Sequence, residues 1–275
     1  VLNNIKAISK IILFFIAVLC YLITTMPLLI YFQFNPWRAR KILARILHHY
    51  AKLGLAIFDI RPQYQTLDRA NQPALHVCNH LSYLDILIIA ARAPVCFVTS
   101  QEIRETPFLG HLCILSGCLF VERRNKNSIH NEINEVSEGL RQGLSVCIFP
   151  EATSTNGQSV KRFKRPLFNS SLKEQCHLVL FCLNYTMVSG KLVDIDERDN
   201  LFWYGDMSFL PHLWRLSQQH DIEVELAQLM RFYPNQILQN TTLFETFPKD
   251  FENDAASRLA WFTHQKISQH YVPIG

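Results

Sequence analysis

From Ile11 to Phe32 the chain is nearly unbroken apolar sequence, and this stretch limits the fold more than any other. Its 22 residues make a helix of about 33 Å at a rise of 1.5 Å per residue. That is enough to cross the hydrocarbon core of a bilayer. A cleaved signal peptide fits less well: the apolar region is too long, and Phe34-Asn35-Pro36-Trp37 lacks the small residues of a cleavage site. Pro27 predicts a kink, which helices in membranes tolerate. Arg38, Arg40, Lys41 and Arg45 follow the stretch, against only Lys6 and Lys10 before it. The positive-inside bias therefore predicts that the C-terminal side faces the cytoplasm.

Residues 37–58 read as an amphipathic helix. Ile42, Leu43, Ile46, Leu47, Tyr50, Leu53, Leu55 and Ile57 alternate with Arg40, Lys41, Arg45, His48, His49 and Lys52. Such a helix either lies on lipid headgroups or packs its apolar side on the domain that follows. The net charge of +4 is too weak to imply nucleic acid and suits a surface facing anionic lipid. The eight cysteines form no Cys-x-x-Cys pair and mostly sit in apolar runs. Reduced, buried thiols in a cytoplasmic compartment are the expectation, rather than disulfides or zinc.

A globular domain begins near Arg61-Pro62. Apolar runs of strand length recur at 74–78, 94–99, 118–121, 144–149 and 177–183, with helical patterns between several of them. One such helix is bounded by Ser128 as its N-cap and Gly143 just past its end. Strands alternating with helices predict an α/β sheet with both faces covered. Beyond Asn200 the pattern predicts a helix at 211–219, a strand at 222–226 and a terminal helix at 255–270.

Three constellations carry chemistry. In Asn79-His80-Leu81-Ser82-Tyr83-Leu84-Asp85, the spacing Ser82-x-x-Asp85 matches a capping box that starts a helix at Ser82. Asp85 then sits in the first turn, where it can bond one nitrogen of a His80 folded over from the preceding loop. The plainer alternative is a capping aspartate beside an ordinary loop histidine. His76 and His80 would lie about 13 Å apart on a strand, too far to share zinc. The second constellation is Gly117-Cys118-Leu119-Phe120-Val121-Glu122-Arg123-Arg124, a strand ending in arginines whose planar forks suit phosphate or carboxylate. A solvated basic turn is its alternative. The third is Phe149-Pro150-Glu151-Ala152-Thr153-Ser154, which puts Glu151 at a strand's carboxyl end, where open α/β sheets meet ligands. Four of the five residues from Lys161 to Arg165 are basic, which suits a phosphate, a lipid surface or plain solvation.

Taken in order, Asn-His-x-x-x-x-Asp, Gly-x-x-Phe-x-x-Arg and Phe-Pro-Glu-x-Thr-Ser resemble the glycerolipid acyltransferase family, over roughly residues 60–230. Its best-known members are the 1-acylglycerol-3-phosphate acyltransferases. The resemblance implies a single α/β acyltransferase domain over 61–275 with a mixed, largely parallel sheet covered by helices. A membrane-associated two-helix segment over 1–60 precedes it. The resemblance further implies that His80 is the base, oriented by Asp85, that deprotonates an acceptor hydroxyl. That hydroxyl attacks the thioester of acyl carrier protein or acyl-CoA. Gly117, Phe120, Arg123, Glu151 and Thr153 match the acceptor-binding motifs, with Asn79, Ser82 and Lys164 as further candidates. Neither a metal nor a bound cofactor is expected. The partners implied are membrane lipids, the acyl donor and a lysophospholipid acceptor.

Two departures bear on the acceptor. Ala152 and Ser154 stand where the family's third motif has glycine and arginine, and the proline of a fourth motif is missing near Val179-Leu180-Phe181-Cys182. Losing the arginine leaves a phosphate-free acceptor such as lyso-ornithine lipid as the alternative. A serine hydrolase built on Ser82 lacks the Gly-x-Ser-x-Gly elbow, and a membrane-anchored scaffold without activity is the remaining alternative.

Overall fold

Pro27 divides the N-terminal apolar stretch into two helices. Helix α1 (Leu2–Thr25) ends just before it, and α2 (Leu28–Phe34) begins just after. The computed structural model describes residues 2–65, 72–121, 129–248 and 253–275. The 23 residues from Asn3 to Thr25, whose most apolar stretch has a mean hydropathy of 2.4, are long and apolar enough to cross a membrane. Ile5, Ile8, Ile12, Leu13, Phe15, Ile16, Leu19 and Ile23 of α1 point away from the protein. The opposite side is docked: the Tyr21 hydroxyl donates to the Leu115 carbonyl at 2.9 Å, and Lys10 Nζ to the Gln219 carbonyl at 2.6 Å.

Pro36 occupies the first turn of α3 (Pro36–Ile57), where its missing N–H costs no helix bond. This helix packs on the domain. Ala39, Leu43, Leu47, Ala51 and Leu55 recur every four residues and are buried. Arg40, which the helical pattern puts on the polar side, is buried instead. It bonds Glu135 at 3.0 Å and lies between the rings of Phe32 and Trp37, 4.8 Å from each.

The remaining elements follow as β1 (Ile60–Gln65), β2 (Ala74–Cys78), α4 (Leu84–Arg92), β3 (Cys96–Ser100), α5 (Gln101–Glu105), α6 (Leu109–Leu115), β4 (Leu119–Val121), α7 (Ile129–Arg141) and β5 (Val146–Ile148). Then come α8 (Phe168–Glu174), β6 (His177–Val188), β7 (Lys191–Leu192), α9 (Ile195–Arg198), α10 (Phe209–Ser217), β8 (Ile222–Phe232), α11 (Pro234–Leu238) and α12 (Ala255–His270). The strands form one sheet in the order β1-β8-β6-β2-β5-β3-β4, with β7 paired to β6. The five strands from β6 to β4 run parallel, β8 is antiparallel to β6, and β1 is parallel to β8. The mixed, mostly parallel α/β sheet is the architecture the sequence predicts.

Every residue of β2 and β5 is buried, as expected of central parallel strands covered on both faces, and so is every residue of the edge strand β4. Two strands exceed their predicted lengths, β6 by running on to Val188 and β8 to Phe232. Strand β1 was not foreseen; it carries Pro62, which an edge position tolerates. Because β2, β4 and β5 are parallel, the segments that follow them leave the same edge of the sheet. Those after β2 and β5 begin at Asn79 and Phe149, so the topology directs the first and third motifs to the side at which β4 also ends.

Candidate active site

At that edge the loop after β2 is fastened at both ends. Asn79 clips β2 to β6: its side-chain amide donates to the Leu183 carbonyl at 2.9 Å, and its oxygen accepts the Leu183 N–H at 2.8 Å. Six residues on, the Asp85 carboxylate collects the turn. Oδ2 accepts the N–H of Leu81 at 2.6 Å, the N–H of Ser82 at 2.9 Å and Nδ1 of His80 at 2.8 Å. Oδ1 accepts the Tyr185 hydroxyl at 2.8 Å. Asp85 is fully buried, and four donors offset the loss of its hydration. A carboxylate only accepts, so Nδ1 of His80 carries the proton and Nε2 presents a lone pair. The imidazole lies flat on Phe149, with centroids 4.1 Å apart and planes at 15°, and its side chain is 19% exposed.

Ser82 does not cap the helix. Helix α4 starts at Leu84 with Tyr83 as N-cap, and the buried Ser82 hydroxyl has no hydrogen-bond partner among the described residues. Only the reciprocal half of the predicted capping box forms, because Oδ2 draws two successive N–H groups and the imidazole onto one atom. The unbonded hydroxyl also removes the nucleophile–base pair that a serine hydrolase needs.

The third motif braces the first from β5. Glu151 Oε1 accepts the His80 backbone N–H and Oε2 accepts the Lys161 N–H, each at 2.7 Å. The His80 carbonyl accepts the Thr155 N–H at 3.0 Å, so the histidine backbone is held from both sides. Burial pushes the Glu151 carboxyl up to about 7, against the opposing pull of these two N–H donors. Its folded-state value therefore lies above its ordinary 4.5, so the stability it contributes is complete below pH 4.5 and lost as pH rises through about 7. Wild-type protein should lose roughly 3 kcal/mol more than Glu151→Gln protein across that window. Melting temperatures of both proteins between pH 4.5 and 8.5 measure the difference, and parallel curves would refute it.

Ala152 adopts φ 63°, the left-handed conformation that glycine takes without penalty. The substitution thus leaves the motif's turn in place at a cost of about 1 kcal/mol. Ser154, standing for the motif's arginine, donates its hydroxyl to the Trp203 carbonyl at 2.5 Å. The Trp203 N–H donates in turn to the Leu81 carbonyl at 3.1 Å. Ser154 therefore fastens the aromatic loop at 201–207 to the His80 turn.

The other candidates are distributed unevenly. Thr153 is exposed at the rim, and its hydroxyl donates to the Ser154 carbonyl at 3.2 Å. Lys164 holds the basic segment beside Glu151 through its N–H to the Pro150 carbonyl at 2.8 Å, while its side chain is exposed. Phe163 anchors that segment in the core. Gly117 and Phe120 are both closely packed. Gly117, at φ 74°, lies so close to α3 that an added Cβ would sit 3.2 Å from the Arg40 carbonyl oxygen. Phe120 is buried under the Arg104 guanidinium, 5.3 Å from its ring centroid. Arg123 and the cap residue Ser128 lie outside the described residues. Among the described residues no group of three or more His, Cys, Asp or Glu side chains could hold a metal ion.

Tyr185 was missed by sequence reasoning. It lies on β6, two residues past the predicted apolar run, and no local pattern ties it to Asp85, 100 positions away. Tyr185→Phe should lower stability by about 1.5–3 kcal/mol, the usual worth of a bond to a charged group. The rate should fall by less than tenfold, since His80 Nδ1 keeps its acceptor. Denaturant melts and initial rates on one preparation test both numbers.

An imidazole oriented by a buried carboxylate, at the carboxyl edge of a parallel sheet, defines an acid–base site suited to group transfer onto a hydroxyl. The acyltransferase family model matches residues 60–183, the segment that carries all three motifs. Over that segment, a little under half of the chain, the sequence is similar to the acyltransferase family.

The lyso-ornithine lipid O-acyltransferase of Rhizobium meliloti is 27% identical over 186 residues, covering 65% of this chain and 63% of that protein. The chain thus spans less than two thirds of that relative's length. The Pseudomonas aeruginosa protein of the same name is 33% identical, covering 62% of this chain and 64% of that protein. The 1-acyl-sn-glycerol-3-phosphate acyltransferase of Neisseria gonorrhoeae is 30% identical, covering 55% and 57%. The crystal structure of the 1-acyl-sn-glycerophosphate acyltransferase of Thermotoga maritima shares the fold. It has a TM-score of 0.59 and 14% identity, covering 98% of this chain and 96% of that one.

Proposed function

We propose that the protein is a membrane-bound lysolipid O-acyltransferase, moving a fatty acyl group from an acyl carrier protein or acyl-CoA thioester to a free lipid hydroxyl. The observation that carries this reading is the His80–Asp85 pair, held at 2.8 Å beside Glu151. Nε2 of His80 takes the hydroxyl proton as the oxygen attacks the thioester carbonyl. The tetrahedral adduct collapses, the C–S bond breaks, and the imidazolium returns its proton to the leaving thiolate. Asp85 fixes the ring and stabilises the imidazolium. Both substrates meet in one complex, so the reading needs no covalent acyl-enzyme and no metal. The apolar α1 keeps the site near a lipid acceptor, and the basic residues after α2 favour a cytoplasmic catalytic domain.

The three-motif pattern favours 1-acylglycerol-3-phosphate as acceptor, giving phosphatidate. Ser154 favours a second reading, a phosphate-free acceptor such as lyso-ornithine lipid, because it stands in place of an arginine and bonds Trp203. A panel of lysolipid acceptors with acyl carrier protein and CoA donors separates the two. On the first reading lysophosphatidate is the best acceptor, and Arg123→Ala lowers its kcat/KM at least tenfold while sparing neutral acceptors. On the second, lyso-ornithine lipid is preferred and Arg123→Ala changes little. Turnover of neither, with active donor confirmed, removes both readings.

A further inference from the structure

The turn that ends α6 brings two thiols together. Ser116 is the C-cap of the helix, and Gly117 follows it at φ 74°. The Gly117 N–H donates to the Ile114 carbonyl at 3.0 Å, and the Cys118 N–H donates to the Cys113 carbonyl at 3.1 Å. These are the two bonds of a glycine C-cap, a motif in which a side chain of the last helical turn meets the one just past the glycine. Both of those side chains are cysteines in this chain. A disulfide needs Cα atoms about 4.4–6.8 Å apart and converging Cβ atoms. The bond from the Cys118 N–H to the Cys113 carbonyl draws the two backbones together, and the Cys118 thiol donates to the Cys113 sulfur.

The two thiols differ as an attacking and a resolving thiol differ. Cys113 is half-buried and Cys118 is buried. The bond from Cys118 draws the Cys113 thiol below its ordinary pKa, against the opposing effect of burial, and the same bond pushes Cys118 well above it. The thiolate is the reactive form of cysteine. Burial pushes Cys96 and Cys182 up to about 12 and Cys176 up to about 11. A reachable thiol of lowered pKa beside a second thiol is the arrangement of a redox-sensing cysteine.

We propose that Cys113 and Cys118 form a reversible oxidation site, closed to a disulfide by a hydroperoxide. The Cys113 thiolate attacks a peroxide oxygen, the O–O bond breaks, and the departing oxygen takes a proton. Cys113 is left as a sulfenic acid. The Cys118 sulfur then attacks the Cys113 sulfur, the S–S bond forms, and the hydroxyl leaves as water with the Cys118 proton. Two thiols are oxidised, and one hydroperoxide is reduced to an alcohol, or to water where the oxidant is hydrogen peroxide. A dithiol reductant reopens the pair by exchange. The closed pair fastens the joint at which α1 and α3 meet β4, since Tyr21 bonds the Leu115 carbonyl and Gly117 lies against Arg40. The site does not depend on the acyltransferase reading.

Peptide mapping of the full chain in neutral detergent tests the site. Trypsin releases residues 105–123 as one peptide with these two cysteines and no other. The protein is treated with hydrogen peroxide, quenched, unfolded and alkylated with iodoacetamide. The peptide should then be unalkylated and lighter by two hydrogen atoms than its reduced form. It should convert at least tenfold faster than the peptides carrying Cys96, Cys176 or Cys182 lose their thiols. Dithiothreitol should restore both thiols. Cys118→Ser protein should stop at the sulfenic acid, trapped on Cys113 by dimedone, an adduct that wild type should not accumulate. In Cys113→Ala protein Cys118 should stay reduced. The wild-type map decides the matter should neither variant fold. Two alkylatable thiols persisting in residues 105–123 while other cysteines oxidise would overturn the proposal. A stable dimedone adduct in wild type, or Cys113 linked to a cysteine other than Cys118, would overturn it as well.

Discussion

Acyl transfer by His80→Ala protein should fall roughly 10²- to 10⁴-fold, the usual contribution of a positioned general base, while the fold survives. The structure separates the two effects. The bonds that hold the His80 turn are made by its backbone, to Glu151 and Thr155, and alanine keeps them. The lost side chain gives up one bond to Asp85 and the stack on Phe149, and Asp85 retains three of its four donors. A stability cost of about 1–2 kcal/mol follows. Thiol release from the acyl donor gives the rate, and a denaturant melt shows whether the protein is folded. A folded variant with wild-type turnover would show that the imidazole is not the base.

What the sequence makes legible here is what local pattern controls. Runs of strand length at 74–78 and 144–149 become β2 and β5 because they are apolar on both faces and end at polar segments. Pro27 breaks the apolar stretch for a covalent reason, its lack of an N–H. His80 and Asp85 can be paired in advance because only five positions separate them. The failures share a cause, which is that the deciding partner is distant. Arg40 reads as polar and solvated until Glu135, 95 residues on, takes up its charge. Ser82 reads as a cap until Asp85 gathers its neighbours' donors and the helix begins two residues later. Gly117 can be matched to a motif from sequence, but the close approach of the α3 backbone that its lack of a side chain admits cannot be read there. Tyr185 belongs to the site only because β2 and β6 pair in parallel, with Cys78 opposite Phe181.

Asp85 should be the most costly position in the site, and its two substitutions should fail differently. Alanine removes the acceptor of four donors at once, in a fully buried place: the N–H groups of Leu81 and Ser82, His80 Nδ1 and the Tyr185 hydroxyl. Each orphaned donor costs about 1–3 kcal/mol. Partial relaxation keeps the sum below simple addition, so Asp85→Ala should lose about 3–5 kcal/mol. That is a large share of the 5–15 kcal/mol that typically holds a domain folded. Asparagine fits the same volume. With its oxygen at the Oδ2 position it still accepts from Leu81, Ser82 and His80. Its amide then faces Tyr185, whose hydroxyl can turn and accept. Asp85→Asn should therefore cost only about 1 kcal/mol in stability. A neutral amide cannot stabilise the imidazolium that forms when His80 takes a proton, so the rate should still fall roughly 10²- to 10⁴-fold. A folded, nearly inactive Asp85→Asn protein would place the carboxylate's charge in the chemistry. Full activity in that variant would mean that the carboxylate serves only to hold the turn together.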